Sequence, residues 1–315
     1  MCTAIKDGTY VGRNIDIYKT YAEEIIITPR KYLIALRKEE KMREHYAMVG
    51  MGTVARGYPL YYDAVNERGL YMAGLNYVGN AKYLPPKENM TNLAPFELIP
   101  YVLGKCKTVS EAERELSNIN LTDIPFSRDI GTAELHWIIA DKERAITVEP
   151  DENGINIYDN PVGVLTNNPS FPYQLFSINN YLFLRRDTPK ITFSNHFPIS
   201  LYSEGMGAIG LPGDLSSQSR FIRAAFHKSG ARGENGLMRI FHLLSSVEMP
   251  DGSVDVDGEY ERTEYTSAAD LCSMTYYYRA YESAGISSVK LFSENLDAQF
   301  LIRYEALSLD AVSQN

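Results

Sequence analysis

The sequence predicts an α+β fold in which antiparallel sheets are combined with a small number of helices. Short runs of β-branched and aromatic residues, separated by Gly, Pro and Asn, fill the first part of the chain and return near its end, a composition typical of strands. Between them lie stretches whose apolar residues recur at helical spacing. The order is therefore strands, helices, strands, helices and strands, and the close spacing of successive strands favours antiparallel pairing.

The predicted strands are short and are bounded by turn residues. In the first part of the chain they are Tyr10–Gly12 continuing to Asp16, Glu24–Pro29, Ala47–Met51, Leu60–Val65 and Gly69–Tyr77. Asn66–Gly69 has the composition of a hairpin turn, in which Gly69 can adopt a positive φ. The later strands are Leu135–Ala140, Ala145–Glu149, Val162–Leu165, Glu264–Ser267, Met274–Tyr281 and Ser287–Leu291.

Helices are expected in the middle of the chain. Ala94–Leu103 has helical spacing, although Pro95 and Pro100 limit it to short pieces unless Pro100 kinks the helix. Ser110–Glu113 has the pattern of a capping box, which predicts a helix whose N-cap is the serine. Two amphipathic helices are predicted at Ser216–His227 and Gly236–Val247.

Length and composition are those of a globular protein with a substantial core: 315 residues, 44% hydrophobic and 23% charged. No Ser- or Pro-rich linker or internal repeat divides the sequence, so we expect a single domain over residues 1–315. The net charge of −9 argues against binding to nucleic acid or to anionic lipid. No segment approaches the roughly 20 apolar residues of a membrane-spanning helix, and the N-terminus does not resemble a secretory signal. We therefore expect a cytoplasmic protein that does not contact membranes.

The cysteines and histidines do not predict a metal site. Cys2, Cys106 and Cys272 are far apart and form neither a disulfide framework nor a zinc motif. We expect Cys106 and Cys272 to be small buried residues. The five histidines lack metal-binding spacing and are expected to be surface or core residues, so no metal or other cofactor is predicted.

Two further motifs have little support. Gly205–Gly210 has the spacing of a dinucleotide-binding loop, but Leu211–Asp214 follows where a helix would have to begin, so a tight loop is the better interpretation. Ser287–Lys290 matches the S-x-x-K pattern, but its neighbours are strand-like and the supporting motifs are missing.

Cys2 is the strongest candidate for a catalytic residue, because it follows only the initiator methionine. Removal of Met1 would leave Cys2 with both a thiol and a free α-amine. An α-amine titrates near ~8 and can act as a base, so nucleophile and base would come from one residue. Arg13 and Asp16 lie a short hairpin's length downstream, where a guanidinium would favour the thiolate and a carboxylate could orient the amine. The alternative is that Cys2 is an ordinary second residue.

Several blocks of sequence, in one order, resemble the choloylglycine hydrolase family, which contains bile salt hydrolases and penicillin V acylases. They are Met1–Thr3, Gly12–Asp16, Ile27–Arg30, Asn66–Leu70, Ala73–Tyr77, Leu135–Trp137, Val164–Pro169, Gly210–Ser216 and Ser219–Phe221. The resemblance implies an amidohydrolase that acts on linear amides, with an αββα four-layer sandwich of the N-terminal-nucleophile hydrolase type. It also implies a homotetramer.

The resemblance further implies roles for the residues around Cys2. Cys2 would be the nucleophile once Met1 is removed, and its α-amine would be the base. Arg13 and Arg220 would flank the sulfur, and Asp16 would hold the amine. Arg220 has an alternative role as a polar-face residue of its helix.

Two asparagines complete the implied site, and one of them bears on the substrate. Asn167 would donate a side-chain N–H to the oxyanion and Asn76 a backbone N–H, and such donors are commonly worth ~3–4 kcal/mol each. Bile salt hydrolases resemble this chain in having Asn at the position of Asn76, where penicillin V acylases tend to have Tyr. The predicted reaction is hydrolysis of the amide that links a bile acid to glycine or taurine.

A rigid apolar steroid needs a pocket lined by apolar and aromatic side chains. The candidate contacts are Ile17, Tyr18, Tyr21, Tyr58 and Phe126. The loop Phe126–Ala133, a candidate pocket wall, is rich in polar residues, and the turn Lys6–Tyr10 is shorter than in many relatives. Both features bear on substrate preference rather than on the reaction.

Three other hypotheses stay open. A penicillin V acylase or an N-acyl homoserine lactone acylase would use the same Cys2 chemistry. A non-catalytic binding protein could share the fold, with Cys2 incidental. A nicotinamide-dependent oxidoreductase built on Gly205–Gly210 is the most remote.

Overall fold

Two antiparallel sheets stacked face to face form the centre of the molecule, and helices cover both outer faces. The computed structural model describes residues 1–233 and 236–306. Its layers are helices, a seven-stranded sheet, an eight-stranded sheet and helices. The predicted α+β class and the αββα sandwich are confirmed.

The strands and helices alternate in groups along the chain. The strands are β1 Cys2–Asp7, β2 Tyr10–Ile17, β3 Glu24–Thr28, β4 Met48–Ala55, β5 Tyr58–Asn66, β6 Tyr71–Asn76, β7 Thr91–Leu93, β8 Ile119–Leu121, β9 Leu135–Ala140, β10 Ala145–Asp151, β11 Gly154–Asp159, β12 Val164–Leu165, β13 Val254–Val256, β14 Glu259–Asp270, β15 Thr275–Ala280, β16 Ser287–Lys290 and β17 Ile302–Glu305. The α-helices are α1 Leu98–Lys105, α2 Val109–Leu116, α3 Phe171–Ser177, α4 Ser217–Gly230 and α5 Leu237–Ser245.

The seven-stranded sheet has the order β12-β1-β2-β14-β15-β16, with β13 paired to β14. Its centre is the hairpin of β1 and β2, which turns tightly at Gly8, where φ is 58°. Helix α5 packs closely on this hairpin: a Cβ atom at Gly12 would lie 2.3 Å from the carbonyl oxygen of Ser267 and 3.0 Å from Leu244 of the helix. Only glycine fits at that position.

The eight-stranded sheet has the order β11-β10-β9-β6-β5-β4-β3-β17. Its inner face meets the seven-stranded sheet, and its outer face is covered by α1 and α2. β7 and β8 form a separate parallel pair.

Two hydrophobic clusters fill the spaces between the layers. The first cluster includes Cys2, Ile15 and Tyr71 between the sheets and continues beneath α4 and α5. The second cluster lies between the eight-stranded sheet and α1 and α2, and includes Tyr58, Cys106 and Phe126. The two clusters differ in the polar groups that they enclose.

The N-terminal ends of α1 and α2 differ from the sequence predictions. A 3-10 turn, Pro95–Glu97, precedes α1, and Pro100 is tolerated in the first helical turn because no N–H is needed there. The N-cap of α2 is Thr108, not Ser110: its hydroxyl accepts the N–H of Glu111 at 3.2 Å. The sequence contains two overlapping S/T-x-x-E patterns, and the earlier one forms the cap.

Other differences concern short or polar elements. β14 extends well beyond the predicted Glu264–Ser267. The elements that the sequence did not predict are β1, β7, β8, β11, β13, β17 and α3. Gly205–Gly210 forms a loop with one 3-10 turn, and Ser287–Lys290 is a strand, as predicted. Cys106 is buried as predicted, but Cys272 is exposed, because it lies in the turn between β14 and β15.

Candidate active site

The side chain of Cys2 lies between the sheets, beside Arg13. The register of β1 and β2 pairs Cys2 with Ile15 and Ala4 with Arg13, so both side chains point to the same face of the sheet. Nη2 of Arg13 donates to Sγ of Cys2 at 2.7 Å. Nη1 of Arg13 donates to the carbonyl oxygens of Tyr62 at 3.0 Å and Gly74 at 2.7 Å, which fixes the guanidinium against the opposite sheet.

Arg13 keeps its charge although it is fully buried. Burial lowers the pKa of its guanidinium, but electrostatic interactions with Cys2, Tyr265 and Asp63 outweigh that effect, and the pKa is raised. Asp63 is itself buried. It accepts hydrogen bonds from the hydroxyl groups of Tyr71, Tyr265, Ser267 and Tyr276 at 2.8–3.3 Å. Burial raises the pKa of Asp63, and the charge of Arg13 opposes that rise.

Arg220 of α4 contacts the backbone around Cys2. Its Nη1 donates to the carbonyl oxygen of Cys2 and to Oγ1 of Thr3, both at 2.6 Å, and its Nη2 donates to Oδ1 of Asn167 at 2.7 Å. Burial lowers the pKa of Arg220, and the charges of Asp16 and Cys2 oppose this. Arg13 therefore contacts the sulfur, whereas Arg220 orders the main chain beside it.

Asn167 connects the nucleophile to Asn76. The backbone N–H of Cys2 donates to Oδ1 of Asn167 at 3.0 Å. Nδ2 of Asn167 donates to the carbonyl oxygen of Asn76 at 2.8 Å, and the N–H of Asn167 is held by the hydroxyl of Ser217 at 2.8 Å. The two asparagines implied for the oxyanion hole are thus neighbours beside Cys2.

Asp16 lies on the amino-terminal side of Cys2. Its Oδ1 accepts from Oγ1 of Thr263 at 2.6 Å, and its Oδ2 lies 3.9 Å from Nη1 of Arg220. Within residues 1–233 and 236–306, Oδ2 of Asp16 is buried without a hydrogen bond. Burial raises the pKa of Asp16, and the charges of Arg220 and of the chain's amino terminus oppose this. The amino group of Met1 forms an ion pair with Glu261 at 2.7 Å.

All six predicted catalytic residues are therefore connected through Cys2, but the five predicted substrate contacts are dispersed. Ile17 ends β2 and packs on the first cluster, while Tyr18 and Tyr21 follow it and are about half exposed. Tyr58 and Phe126 instead pack together in the second cluster, with ring centroids 5.9 Å apart. The structure does not bring these two to Cys2.

Three residues of the site were missed by the sequence analysis. Thr263 and Glu261 lie on β14 and hold Asp16 and the amino terminus, but they are far from both in sequence. Asp63 could have been noticed in the sequence, because it is a lone carboxylate within the apolar strand β5. Such a residue has to find buried partners.

The described part of the chain has neither a cluster of metal-binding side chains nor a membrane-spanning helix. Residues 1–233 and 236–306 contain no group of three or more His, Cys, Asp or Glu side chains placed to hold a metal ion. Over the same residues, none of the helices has the length and apolar character needed to cross a membrane.

Comparison with known proteins identifies the family. The model of the linear amide C–N hydrolases, choloylglycine hydrolase family, matches residues 2–304. The chain belongs to the choloylglycine hydrolase family. It is 47% identical over 312 residues to the bile salt hydrolase/transferase of Lactiplantibacillus plantarum, covering 96% of each chain. It is 35% identical over 319 residues to the bile salt hydrolase/transferase of Clostridium perfringens, covering 97% of each.

Solved structures agree with this membership. A mutant of the conjugated bile acid hydrolase of Clostridium perfringens matches with a TM-score of 0.94 and 32% identity, over 100% of this chain and 99% of that one. Penicillin V acylase of Agrobacterium tumefaciens matches with a TM-score of 0.76 and 20% identity, over 97% and 91%. The latter shares the fold. As a family member, this chain is an amide hydrolase with the N-terminal-nucleophile architecture.

Proposed function

We propose that this hydrolase cleaves the amide bond of glycine- or taurine-conjugated bile salts, with Cys2 as the nucleophile. The observation that carries the proposal is the 2.7 Å contact of the Cys2 sulfur with the buried guanidinium of Arg13. The names of the relatives from Lactiplantibacillus plantarum and Clostridium perfringens give the substrate class. Asn at position 76, rather than Tyr, supports the same choice.

The proposed reaction begins once Met1 has been removed. The α-amine of Cys2 takes the thiol proton, and Sγ attacks the carbonyl carbon of the amide, which forms a C–S bond and an oxyanion. Collapse of this intermediate breaks the C–N bond, and the α-ammonium gives its proton to the leaving amine. Water, with the α-amine as base, then cleaves the thioester and releases the bile acid.

The surrounding residues have separate roles in this proposal. Arg13 favours the thiolate through its charge. Asp16 holds the α-amine through Oδ2, the oxygen that is free of hydrogen bonds in the described residues. Asn167, through Nδ2, and the backbone N–H of Asn76 stabilise the oxyanion, which is the largest expected contribution to the rate.

The deciding experiment is release of primary amine from glycocholate, taurocholate and phenoxymethylpenicillin, measured side by side. Faster release from the bile salts supports the proposal. Faster release from phenoxymethylpenicillin would replace it by the penicillin V acylase alternative with the same Cys2 chemistry. An N-acyl homoserine lactone in the same assay tests the remaining acylase alternative.

Removal of Met1 can be tested separately. A variant with one extra residue between Met1 and Cys2 should release no amine, because a peptide nitrogen is not a base. Mass spectrometry shows whether Met1 and the extra residue are retained. Full activity of protein with a blocked Cys2 nitrogen would contradict the proposed role of the α-amine.

Acyl transfer is a second candidate activity, favoured by the word transferase in the names of two relatives. An acyl group on Cys2 could pass to an amine instead of to water. Taurocholate incubated with excess glycine should then give glycocholate as well as free bile acid. Free acid alone, at every glycine concentration, would exclude transfer.

We also propose that the enzyme is a cytoplasmic homotetramer. The segment 182–209 exposes many large apolar side chains: Leu182, Phe183, Phe193, Phe197, Tyr202 and Ile209. Such a patch is expected to be covered by another protein surface, and a second copy of the chain is the proposed partner.

The proposed location follows from the chemistry of the nucleophile. A Cys2 nucleophile must stay reduced, which suits the cytoplasm. Light scattering of the wild type and of Phe193→Ser tests the assembly, and cell fractionation tests the location.

A further inference from the structure

His136 is a fully buried histidine with an acceptor at each ring nitrogen. It lies on β9 and is 0% exposed. Nδ1 is 3.1 Å from Oε1 of Glu149, and Nε2 is 2.9 Å from the carbonyl oxygen of Thr166. The catalytic mechanism proposed above does not use either side chain.

The partners of His136 determine how many protons the pair holds. A backbone carbonyl can only accept, so Nε2 carries a proton. An ionised carboxylate can also only accept, whereas a neutral imidazole has one N–H and one lone pair. A second proton must therefore lie between Nδ1 and Glu149.

The surroundings of Glu149 favour the ionised carboxylate. The backbone N–H of Phe171 donates to both carboxylate oxygens, at 3.0 Å and 3.1 Å, and hydrogen bonds to a carboxylate stabilise its charged form. These hydrogen bonds favour an arrangement in which the second proton lies on Nδ1, as an imidazolium paired with a carboxylate.

This ring joins the two parts of the proposed oxyanion hole. Tyr77 follows Asn76 in the chain and stacks on His136, with ring centroids 4.4 Å apart and an interplanar angle of 6°. Thr166 precedes Asn167, and its backbone carbonyl oxygen accepts a hydrogen bond from Nε2 of His136. The ring of His136 thus contacts the chain neighbour of each asparagine.

We propose that the His136–Glu149 ion pair is a positioning device that aligns Asn76 and Asn167 with the oxyanion. The inference rests on the proposed function, because it requires those two asparagines to be the oxyanion donors. Neither His136 nor Glu149 contacts the reacting atoms. Their effect is on the geometry of the hole, and therefore on kcat.

The kinetic test compares His136→Gln with His242→Gln, which alters an exposed histidine of α5. His136→Gln should lower kcat by up to about 10²-fold, the effect of a small displacement in an active site, with KM within twofold. In a Cys272→Ser background, the rate of Cys2 alkylation should stay unchanged, because the nucleophile and Arg13 are intact. His242→Gln should match the wild type. An unchanged kcat in folded His136→Gln would overturn the inference.

A second measurement does not depend on activity. Nitrogen-15 NMR at pH 7 should show protons on both ring nitrogens of His136, identified as the pair of signals that is lost in His136→Gln. Glu149→Gln can donate to Nδ1, so this variant should leave a single ring N–H. One ring proton in the wild type, or two in Glu149→Gln, would overturn the ion pair. Wild-type protein that hydrolyses no bile salt would instead contradict the proposed function, whatever the NMR result.

Discussion

Cys2 and Cys106 are both free and each is 3% exposed, but they lie in different clusters. Cys2, in the first cluster, is in contact with a guanidinium. Cys106, in the second cluster, has an apolar environment, and burial together with nearby glutamates raises the pKa of its thiol to about 12. Equally buried thiols therefore lie beside different charges, and we expect the nearest charge to decide their reactivity.

The buried carboxylates of the two clusters differ in the same way. Asp63 accepts hydrogen bonds from the hydroxyl groups of four side chains, which come from both sheets, close to the charge of Arg13. Glu97, beside the second cluster, accepts the backbone N–H groups of Ala94 at 2.8 Å and Arg37 at 2.6 Å. Burial raises the pKa of both. Asp63 supports a charged site, whereas Glu97 satisfies the backbone at the start of a helix.

The largest expected effect separates the two cysteines. Cys2→Ala should release no detectable amine from any substrate while the protein stays folded, because an alanine side chain cannot attack the amide carbonyl carbon. Cys106→Ala, the matched control, should keep kcat/KM within twofold and lose about 1 kcal/mol of stability. Amine release and thermal unfolding of both variants provide the comparison. Activity in Cys2→Ala would refute the mechanism and with it the contrast between the clusters.

The next largest effect is expected to separate Arg13 from Arg37. Arg13→Lys should lower kcat/KM by about 10²-fold, since one ammonium cannot reproduce the fork that contacts Tyr62, Gly74 and Sγ. Arg37 is exposed and stacks over Phe96 and Phe126 at 5.5 Å and 5.3 Å. Arg37→Lys should therefore leave kcat/KM within twofold. Equal losses in the two variants would mean that the contact with sulfur is not decisive.

A smaller effect on catalysis is expected when the buried carboxylates Asp63 and Glu97 are replaced by amides. Asp63→Asn removes a buried charge and should cost about 3–5 kcal/mol of stability, together with about a tenfold loss of kcat. Glu97→Gln should cost about 1 kcal/mol, as the loss of a helix cap does, with kcat unchanged. Denaturant unfolding and steady-state kinetics measure both. If Asp63→Asn is destabilised but fully active, Asp63 only holds the sheets together.

The sequence was most informative where the deciding interactions are local. The β1–β2 hairpin joins Cys2 to Arg13 over a short distance in the chain, so the spacing alone indicated their contact. Arg220, Asn76 and Asn167 required the family resemblance. Asp63 could not be placed, because its partner Tyr276 lies 213 residues away and the register between two stacked sheets leaves no local pattern. Even the N-cap of α2 was missed, since two overlapping patterns differ by two residues.

The smallest expected effect comes from Tyr58, which the sequence suggested as a substrate contact. Its hydroxyl is buried in the second cluster and, within the described residues, lacks a hydrogen-bond partner, an arrangement that costs free energy. Tyr58→Phe should therefore leave KM within twofold and be neutral or stabilising by up to about 1 kcal/mol. Tyr71→Phe, the control, removes the hydroxyl that donates to Asp63 and should be destabilising. A several-fold rise in KM for Tyr58→Phe would show that Tyr58 contacts the substrate after all. The second cluster would then be part of the active site, and the separation between the two regions would no longer hold.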